Sequence, residues 1–360
     1  MAEPLKNEFN ASFVAQLGSQ LSDKDSSFRL EAFVAAVLDE EWEGRELKNR
    51  MRHLTCMIRS HTALVFLDQL EVMKSLAVHY SGLQGMTFPD FVEVYGQEYL
   101  AESLVAMKHM TQYSTAEFAI RPFIIKYEKE VMNTLLDWSM DANEHVRRLS
   151  SEGCRPRLPW AMALPAFKKD PKLILPILEN LKADDSLYVR KSVANNLNDI
   201  TKDHVALALD LGERWYGDCT HTNWVVKHGL RNLLKQGHPR ALQVIGFDDK
   251  AKFSVPVCSL SERKLKIGDV LHFEFEVVSE EAQLAFAKVG FVVSYQKANG
   301  TLSDKIFHVA EKEFDRGSSF WFKKKLSFKD LSTRKHYLGR HKLGILVNGK
   351  KLTDEVFELV

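Results

Sequence analysis

Cysteine is scarce in this chain, and its placement excludes two common roles. The 360 residues include four cysteines, Cys56, Cys154, Cys219 and Cys258, and no two of them form a C-x-x-C pair. This spacing argues against a cysteine zinc site and against a disulfide framework. It favours a protein of a reducing compartment, so we expect a cytosolic location.

Long apolar runs and a strong net charge are also missing. No apolar stretch approaches the roughly 20 residues that a membrane span needs, and "MAEPLKNEFN" lacks the basic and apolar regions of a signal peptide. We therefore expect no membrane partner. The net charge is +1, with 45% hydrophobic and 27% charged residues, which is typical of soluble globular proteins. This charge alone indicates no polyanionic partner.

Strand-like alternation is absent before residue 250, and residues 10–247 have helical patterns instead. Within them, "NEHVRRLSSEG", "SLYVRKSVANNL" and "NWVVKHGLRNLL" align on Val146, Val189 and Val226. The valines are spaced by about 40 residues, and this period with two helices per unit predicts a HEAT-like α-solenoid. Each valine is followed by a basic residue, namely Arg147, Arg190 or Lys227.

The register of these repeats separates an apolar stripe from a polar one. On the helix that contains Val189, the residues Lys191, Asn195 and Asp199 follow each other at spacings of four. Arg148 and Glu152 occupy the equivalent places in the preceding copy. In a solenoid these positions line the concave surface, but a solvated helix face would have the same pattern.

After Gly246 the sequence turns to short alternating runs such as "HFEFEVVS", "FAKVGFVVSYQ" and "SSFWFKKKLSF". About seven such strands predict an immunoglobulin-like β-sandwich, although the Cys-Trp-Cys pattern of antibody domains is missing. We predict a multidomain protein in which residues 1–247 form the all-α solenoid and residues 253–360 the β-sandwich. The segment "FDDKAKF" is the predicted linker.

The segment "SSEGCRPRLPWAMALP" concentrates functional residue types in one stiff turn. Glu152 precedes Gly153, a residue suited to end a helix, and three prolines then prevent helix continuation. Arg155 and Arg157 have the geometry to bind phosphate, and Trp160 offers a flat aromatic face. The structural alternative is that Arg155 pairs with Glu152 and that Trp160 belongs to the core.

The longer segment "WSMDANEHVRRLSSEGCRPRLPW" resembles the AlkC branch of the DNA alkylation-repair glycosylases. The related AlkD branch shares the HEAT-like solenoid. The resemblance extends through "EFAIRPFI", "VRKSVANNLNDI" and "HTNWVVKHGLRNLL", and AlkC proteins of this subtype carry an immunoglobulin-like domain. It implies a bacterial base-excision repair enzyme that acts at the nucleoid on double-stranded DNA. Such an enzyme removes 3-methyladenine and 3-methylcytosine without flipping the base.

The same resemblance implies the catalytic residues. Glu152 and Glu117 correspond to the catalytic acids, Trp160 to the residue that packs on the lesion, and Asp199 to a further acid. It implies neither a cofactor nor a metal, and we expect a monomer. The chemistry agrees, because a base with a methylated ring nitrogen is already cationic and leaves as a neutral molecule. Carboxylates would then stabilise the oxocarbenium-like sugar and orient the attacking water.

Basic residues would offset these acids and bind the DNA backbone. The predicted DNA contacts also include a loop of the second domain, which we expect to close on the duplex. A lysine run at residues 323–325 fits that role, but it also fits a charged strand edge that prevents aggregation. The complete set is Arg121, Arg147, Arg148, Arg155, Arg157, Arg190, Lys191, Asn195, Lys227, Arg231, Arg334 and Lys335.

Two other functions are compatible with a helical repeat protein. A non-catalytic scaffold that binds DNA or protein would need no acid at position 152. A nuclease would need several carboxylates with metal-ligand spacing, and the sequence contains no such local cluster.

Overall fold

Helices occupy the chain as far as Val244, and strands follow from Phe253. The structure is a computed structural model that describes residues 3–248, 250–330 and 335–360. Its first thirteen α-helices are α1 (Ala11–Lys24), α2 (Leu30–Val37), α3 (Leu47–Ser60), α4 (Phe66–Ala77), α5 (Gly82–Gly85), α6 (Thr87–Tyr95), α7 (Leu100–Met110), α8 (Ile120–Lys126), α9 (Glu128–Trp138), α10 (Glu144–Gly153), α11 (Pro165–Lys169), α12 (Leu175–Leu181) and α13 (Leu187–Ile200).

Four further helices precede the strands. They are α14 (Val205–Trp215), α15 (Thr220–Gly229), α16 (Arg231–Lys235) and α17 (Pro239–Val244). Single 3-10 turns lie at Leu5–Glu8, Trp42–Gly44 and Lys172–Ile174. None of the helices in the described parts of the chain is long and apolar enough to cross a membrane.

Helices α10 and α13 carry the two best-matched copies of the predicted repeat, and they pack against each other. Asn143 caps α10, because its side chain accepts a hydrogen bond from the backbone N–H of His145 at 2.9 Å. The predicted apolar stripe of α13 is buried at all four positions, Val189, Val193, Leu197 and Ile200. The register read from the sequence is therefore the one that forms the core between these helices.

In these two copies the arginine that follows the valine has the same structural role. Arg147 donates from Nη1 to the carbonyl oxygens of Asp141 and Ala142, both at 2.9 Å. Arg190 donates in the same way to the carbonyl oxygens of Asp184 at 2.6 Å and Asp185 at 2.9 Å. Both arginines therefore bind the loops that precede their own helices, and Arg147 also donates from Nε to Oδ2 of Asp184 at 2.6 Å. Their assignment as DNA contacts stays a prediction.

The strands that follow the helices form two sheets with a shared core. They are β1 (Phe253–Ser254), β2 (Cys258–Leu260), β3 (Lys264–Leu265), β4 (Val270–Ser279), β5 (Ala285–Gln296), β6 (Leu302–Phe314), β7 (Ser319–Ser327), β8 (Gly339–Val347) and β9 (Lys350–Leu359). In the first sheet, β4 pairs with β1 and β2 and also with β7, all antiparallel. The second has the order β3-β9-β8-β5-β6.

The core forms because buried and more exposed residues alternate along the strands. On β4, Leu271, Phe273, Phe275 and Val277 are buried, while the residues between them are more exposed. They pack with the buried positions of β5 and β8 in one apolar cluster. The predicted fold class, a helical repeat-like region followed by an immunoglobulin-like β-domain, is thereby confirmed.

The described chain separates into two compact units, one that ends at Asp203 and one that begins at His204. The change from helix to strand lies later, between Val244 and Phe253, close to the predicted limits of 247 and 253. The difference arises because α14–α17 cluster with the β-domain. Within this second unit, Asn348 of the β8–β9 turn donates from Nδ2 to the carbonyl of Asp248 at 2.8 Å.

Candidate active site

Three carboxylates of the first unit lie almost entirely out of solvent. Glu117 occupies the turn before α8, Glu152 the last turn of α10 and Asp199 the last turn of α13. Their side chains are 13%, 6% and 3% exposed. Carboxylates this deeply buried need a cation or several hydrogen bonds to remain ionised. Helices α10 and α13 deliver two of them because they are equivalent members of adjacent repeats.

Arginines alternate with these carboxylates and connect them. Arg148 forms an ion pair with Glu117, and its Nη2 lies 3.5 Å from Oε1 of Glu152. Arg155 donates from Nη1 to the same Oε1 at 2.7 Å and from Nε to Oδ2 of Asp199 at 2.9 Å. We call this series, Glu117–Arg148–Glu152–Arg155–Asp199, the ion-pair chain.

The ion-pair chain continues to the surface at Lys202, whose Nζ donates to Oδ1 of Asp199 at 3.1 Å. Burial alone would lower the pKa of Arg148 and of Arg155, but the adjacent carboxylates more than offset it, so both pKa values lie above the ordinary one. Both arginines are therefore fully charged at neutral pH. They balance the acids and allow three carboxylates to approach one another.

This arrangement changes the interpretation of two predicted DNA contacts. Arg148 and Arg155 were expected to bind phosphates, yet their guanidinium groups are buried against the carboxylates of the ion-pair chain. For Arg155 the structural alternative is the one observed, and its pairing also reaches Asp199. The guanidinium of Arg148 lies 4.9 Å from the ring centroid of Tyr188, which holds it from the other side.

Arg157 has a more exposed position than Arg155. It forms a two-pronged ion pair with Asp203, with Nη2 to Oδ1 at 2.7 Å and Nε to Oδ2 at 3.2 Å. The side chain of Arg157 remains one-third exposed. A phosphate could therefore compete with Asp203 for Arg157, so the DNA-binding assignment of this residue stays a prediction.

Arg121 is fully buried, and its guanidinium binds backbone carbonyl groups of the proline-containing turn that follows α10. It donates from Nη1 to the carbonyl oxygens of Gly153 at 2.8 Å and Arg155 at 2.9 Å, and from Nε to that of Met162 at 2.7 Å. Burial lowers the pKa of Arg121 to about 10, which still leaves it charged at neutral pH. We correct its assignment as a phosphate contact, because no part of the residue is exposed to solvent.

Trp160 lies on the same turn, and its side chain is presented to solvent. The residue is 63% exposed and has a φ of 64°, in the left-handed region that bulky residues rarely adopt. Such a conformation costs about 1–3 kcal/mol and persists only where surrounding contacts impose it. The core alternative for Trp160 is therefore wrong, and an exposed, strained indole fits a binding role better.

A cleft of about 180 Å³ opens beside this indole and the first acid of the ion-pair chain. Its floor is apolar, and its polar lining comes from Glu117, Thr115 and Lys48. The hydroxyl of Thr115 donates to Oε2 of Glu117 at 2.9 Å. The lining residues are Phe9, Leu47, Lys48, Met51, Leu83, Met86, Thr115, Glu117, Phe118 and Trp160.

Sequence reasoning missed four residues around this site, namely Lys48, Thr115, Tyr188 and Lys202. Thr115 had a local signal, since a threonine two residues before an acid commonly forms a side-chain turn. Lys48 and Tyr188 had none, because their contacts join residues that are far apart in the sequence. Lys202 lies three residues after Asp199, a spacing that brings side chains together on a helix.

The other predicted DNA contacts lie elsewhere. Lys191 is exposed on α13 and Asn195 is half-buried one turn further. Lys227 and Arg231 belong to the second unit, where both line a cleft of about 360 Å³. Lys335 is exposed, and Arg334 lies outside the described residues. No group of His, Cys, Asp or Glu side chains within the described ranges is arranged to hold a metal ion.

Three comparisons relate the chain to known proteins. Residues 254–360 match the family model described as "Uncharacterised protein YhaZ, C-terminal Ig-like domain". The chain is 39% identical over 346 residues to the uncharacterized protein YhaZ of Bacillus subtilis (strain 168), and the match covers 96% of each. It is similar to the structure of Pseudomonas fluorescens alkylpurine DNA glycosylase AlkC bound to DNA with an abasic site analog. That likeness has 34% identity and a TM-score of 0.92, and covers 99% of this chain and 100% of the other.

Proposed function

The chain belongs to the AlkC family, and we propose that it is a DNA glycosylase of alkylation repair. Its reaction would be hydrolysis of the N-glycosidic bond of cationic N3-alkylated bases, 3-methyladenine and 3-methylcytosine, in double-stranded DNA. The observation that carries the proposal is the ion-pair chain, which gathers Glu117, Glu152 and Asp199, and whose Glu117 lines the same cleft as the exposed indole of Trp160. The Pseudomonas AlkC structure, bound to DNA with an abasic site analog, supports DNA as the partner.

The chemistry of the leaving group explains why carboxylates suffice. An N3-methylated base carries a positive charge and departs as a neutral molecule, so no acid has to protonate it. The sugar becomes oxocarbenium-like as the bond breaks, and preorganised negative charge stabilises that state. A carboxylate held at a fixed position in a nearly dry site is effective because no solvent must reorganise during the reaction.

Within this site we assign Glu152 the central role. It lies in the middle of the ion-pair chain, and both of its arginine contacts engage the same oxygen, Oε1. Its other oxygen, Oε2, is the one we assign to the attacking water or the sugar. Glu117 and Asp199 then contribute negative charge from either side, while the guanidinium groups of Arg148 and Arg155 pair with the three carboxylates and hold them in place.

Trp160 would contribute a second form of stabilisation. An indole face attracts a cation by about 1–2 kcal/mol once both groups are desolvated. The exposed ring of Trp160 could pack on the charged base or on the developing positive charge of the sugar. This attraction is absent for a neutral base, so it favours the cationic lesions over normal nucleotides.

The test of this function is the release of free base from methylated duplex DNA by the full-length protein. Glu152→Gln preserves the shape of the side chain and removes its charge, so single-turnover excision should fall about a hundredfold or more. Affinity for the duplex should stay level or rise. Glu144→Gln, at an exposed acid on the same helix, is the matched control and should excise normally.

Two results would contradict the proposal. A wild-type protein that binds methylated duplex but releases no base would favour the non-catalytic scaffold. A folded Glu152→Gln variant with full activity would show that the ion-pair chain has only a structural role.

A further inference from the structure

The exposed indole of Trp160 is held in an unfavourable backbone conformation, and the structure shows which groups hold it. Trp160 and Asn348 are the two non-glycine residues with positive φ in the described chain. Asparagine tolerates the left-handed region, but a bulky aromatic residue rarely occupies it. Backbone strain of this kind is maintained by surrounding contacts and clusters at functional sites.

One of these contacts comes from a helix remote in sequence. Lys48 of α3 donates from Nζ to the carbonyl oxygen of Trp160 at 2.8 Å, across 112 positions of the chain. The same ammonium lies 4.8 Å from the ring centroid of Phe118, which fixes its direction. Lys48 and Phe118 also line the cleft beside the indole.

The second contact comes from Arg121 of α8. Its Nε donates to the carbonyl oxygen of Met162, and its Nη1 donates to those of Gly153 and Arg155. Arg121 therefore binds the turn at its start and again two residues after Trp160. Because the turn is bonded at both ends and at Trp160 itself, the backbone that carries the indole has little freedom to move.

We infer that Lys48 and Arg121 are positioning residues that hold Trp160 against the damaged nucleotide. This inference rests on the proposed function, because it gives the fixed indole a task in base excision. Neither cation needs to touch DNA in this role. The contribution of each to the reaction passes through Trp160, so it should vanish when the indole is absent.

Lys48 offers the cleaner test, because it is exposed and its replacement removes one surface hydrogen bond, whereas replacing the buried Arg121 risks unfolding the turn. Lys48→Met keeps the unbranched, apolar part of the side chain and removes the ammonium. We expect a loss of about tenfold in the single-turnover excision rate, because misplacing a binding group by an ångström can cost up to a hundredfold. Lys48→Arg should restore most of the rate, and thermal stability should be unchanged.

A double-mutant cycle with Trp160→Phe separates positioning from other roles. In the Trp160→Phe background, Lys48→Met should cause no further loss of rate. Losses that multiply would overturn the inference, as would a normal rate in Lys48→Met. A Lys48→Met protein with weaker duplex affinity and a shallower salt dependence would show that Lys48 binds phosphate instead. Lys74→Met, which removes a pairing with Glu71 on α4, is the control and should behave as wild type.

Quenching of Trp160 fluorescence by acrylamide, which is uncharged and so does not respond to the lost charge of Lys48, provides a readout that needs no catalysis. Its signal is the difference between each protein and its Trp160→Phe counterpart. Release of the turn in Lys48→Met should change the quenching of Trp160, while Lys74→Met should not change it. Should the wild-type protein release no base, the proposed function fails, yet this measurement still decides the positioning role: unchanged quenching in Lys48→Met overturns it.

Discussion

Arg155 and Arg157 stand on either side of Pro156, and their guanidinium groups have different surroundings. Arg155 is buried between Glu152 and Asp199 and forms an ion pair with each. Arg157 reaches outward to Asp203, and both partners of that pair remain partly exposed. Buried ion pairs are strongly destabilised when one partner is removed, whereas exposed pairs contribute little.

Replacing each arginine with methionine should therefore give opposite results. Arg155→Met should lower the free energy of unfolding by about 3 kcal/mol, because two buried carboxylates lose their shared cation. Arg157→Met should leave stability close to that of the wild type and should weaken binding to damaged and undamaged duplex alike. Urea unfolding and duplex titration at several salt concentrations measure both effects. Equal stability losses in the two variants would be incompatible with the observed burial.

The resemblance and the chemistry of a cationic leaving group select Glu117, Glu152, Asp199 and Trp160 as candidate catalytic residues, and that assignment stays a prediction. They do not indicate which partners the arginines of the candidate site have. Whether an arginine meets a phosphate or a carboxylate depends on contacts between repeats, as in the pair of Arg155 with Asp199. Such pairing across 44 positions leaves no local pattern in the sequence.

At the scale of elements, α10 and α13 show how the repeat separates neighbouring basic residues. The residue directly after the aligned valine turns back to the preceding loop, as Arg147 and Arg190 do. The residue after that lies on the polar stripe, where Arg148 meets Glu117 and Lys191 is exposed. The helical register therefore places one basic residue against the preceding loop and the next on the polar stripe.

Arg190 and Lys191 allow this division to be tested with adjacent substitutions. Arg190→Met should lower the free energy of unfolding by about 1–3 kcal/mol, since it removes charged hydrogen bonds to two carbonyl groups. It should not alter the salt dependence of DNA binding. Lys191→Met should leave the free energy of unfolding unchanged. It should reduce the slope of log K against log salt by about one. A smaller salt slope in Arg190→Met would show instead that this arginine contacts DNA.

The pattern of hydrophobic residues predicted the elements well for a clear reason. The stripe of α13 and the alternation of β4 depend on which face is buried, and that face is encoded at fixed local spacings. The strained turn at Trp160 was not predictable in the same way. Its conformation is imposed by Lys48 and Arg121, whose positions follow from the tertiary fold.

At the scale of the whole molecule, two boundaries do not coincide. One is the change from helical to strand-like patterns in the sequence, and the other is the division into compact units. The sequence pattern changes from helical to strand-like near residue 250, but α14–α17 cluster with the β-domain, and this unit begins at His204. Within this second unit the backbones of Gly237 and Gly349 approach so closely that a Cβ on either would overlap the other. Glycine is required at this contact because no side chain fits.

Gly349→Ala should therefore destabilise the second unit more than a matched substitution elsewhere. Gly317→Ala is the control, since Gly317 also has a positive φ but faces open space. Both variants incur the backbone strain of a left-handed alanine. Only Gly349→Ala adds the overlap, and its further loss should be about 1–3 kcal/mol. Hydrogen exchange should show faster opening of α16 and α17 as well as of the β8–β9 hairpin.

Equal destabilisation by the two alanines would mean that α16 and α17 do not depend on the β-domain. The same conclusion would follow if the exchange rates of α16 and α17 were unchanged in Gly349→Ala.

The central claim is that negative charge in the ion-pair chain drives departure of a base that is already cationic. The most direct measurement compares single-turnover release of 3-methyladenine, 3-methylcytosine and uracil from duplexes of equal length at one salt concentration, so that backbone affinity cancels. Our account predicts release of both methylated bases, loss of that release in Glu152→Gln, and no release of uracil, whose departure requires protonation or hydrogen bonding. Efficient release of uracil would contradict the account, because it would require an acid catalyst that these residues do not provide.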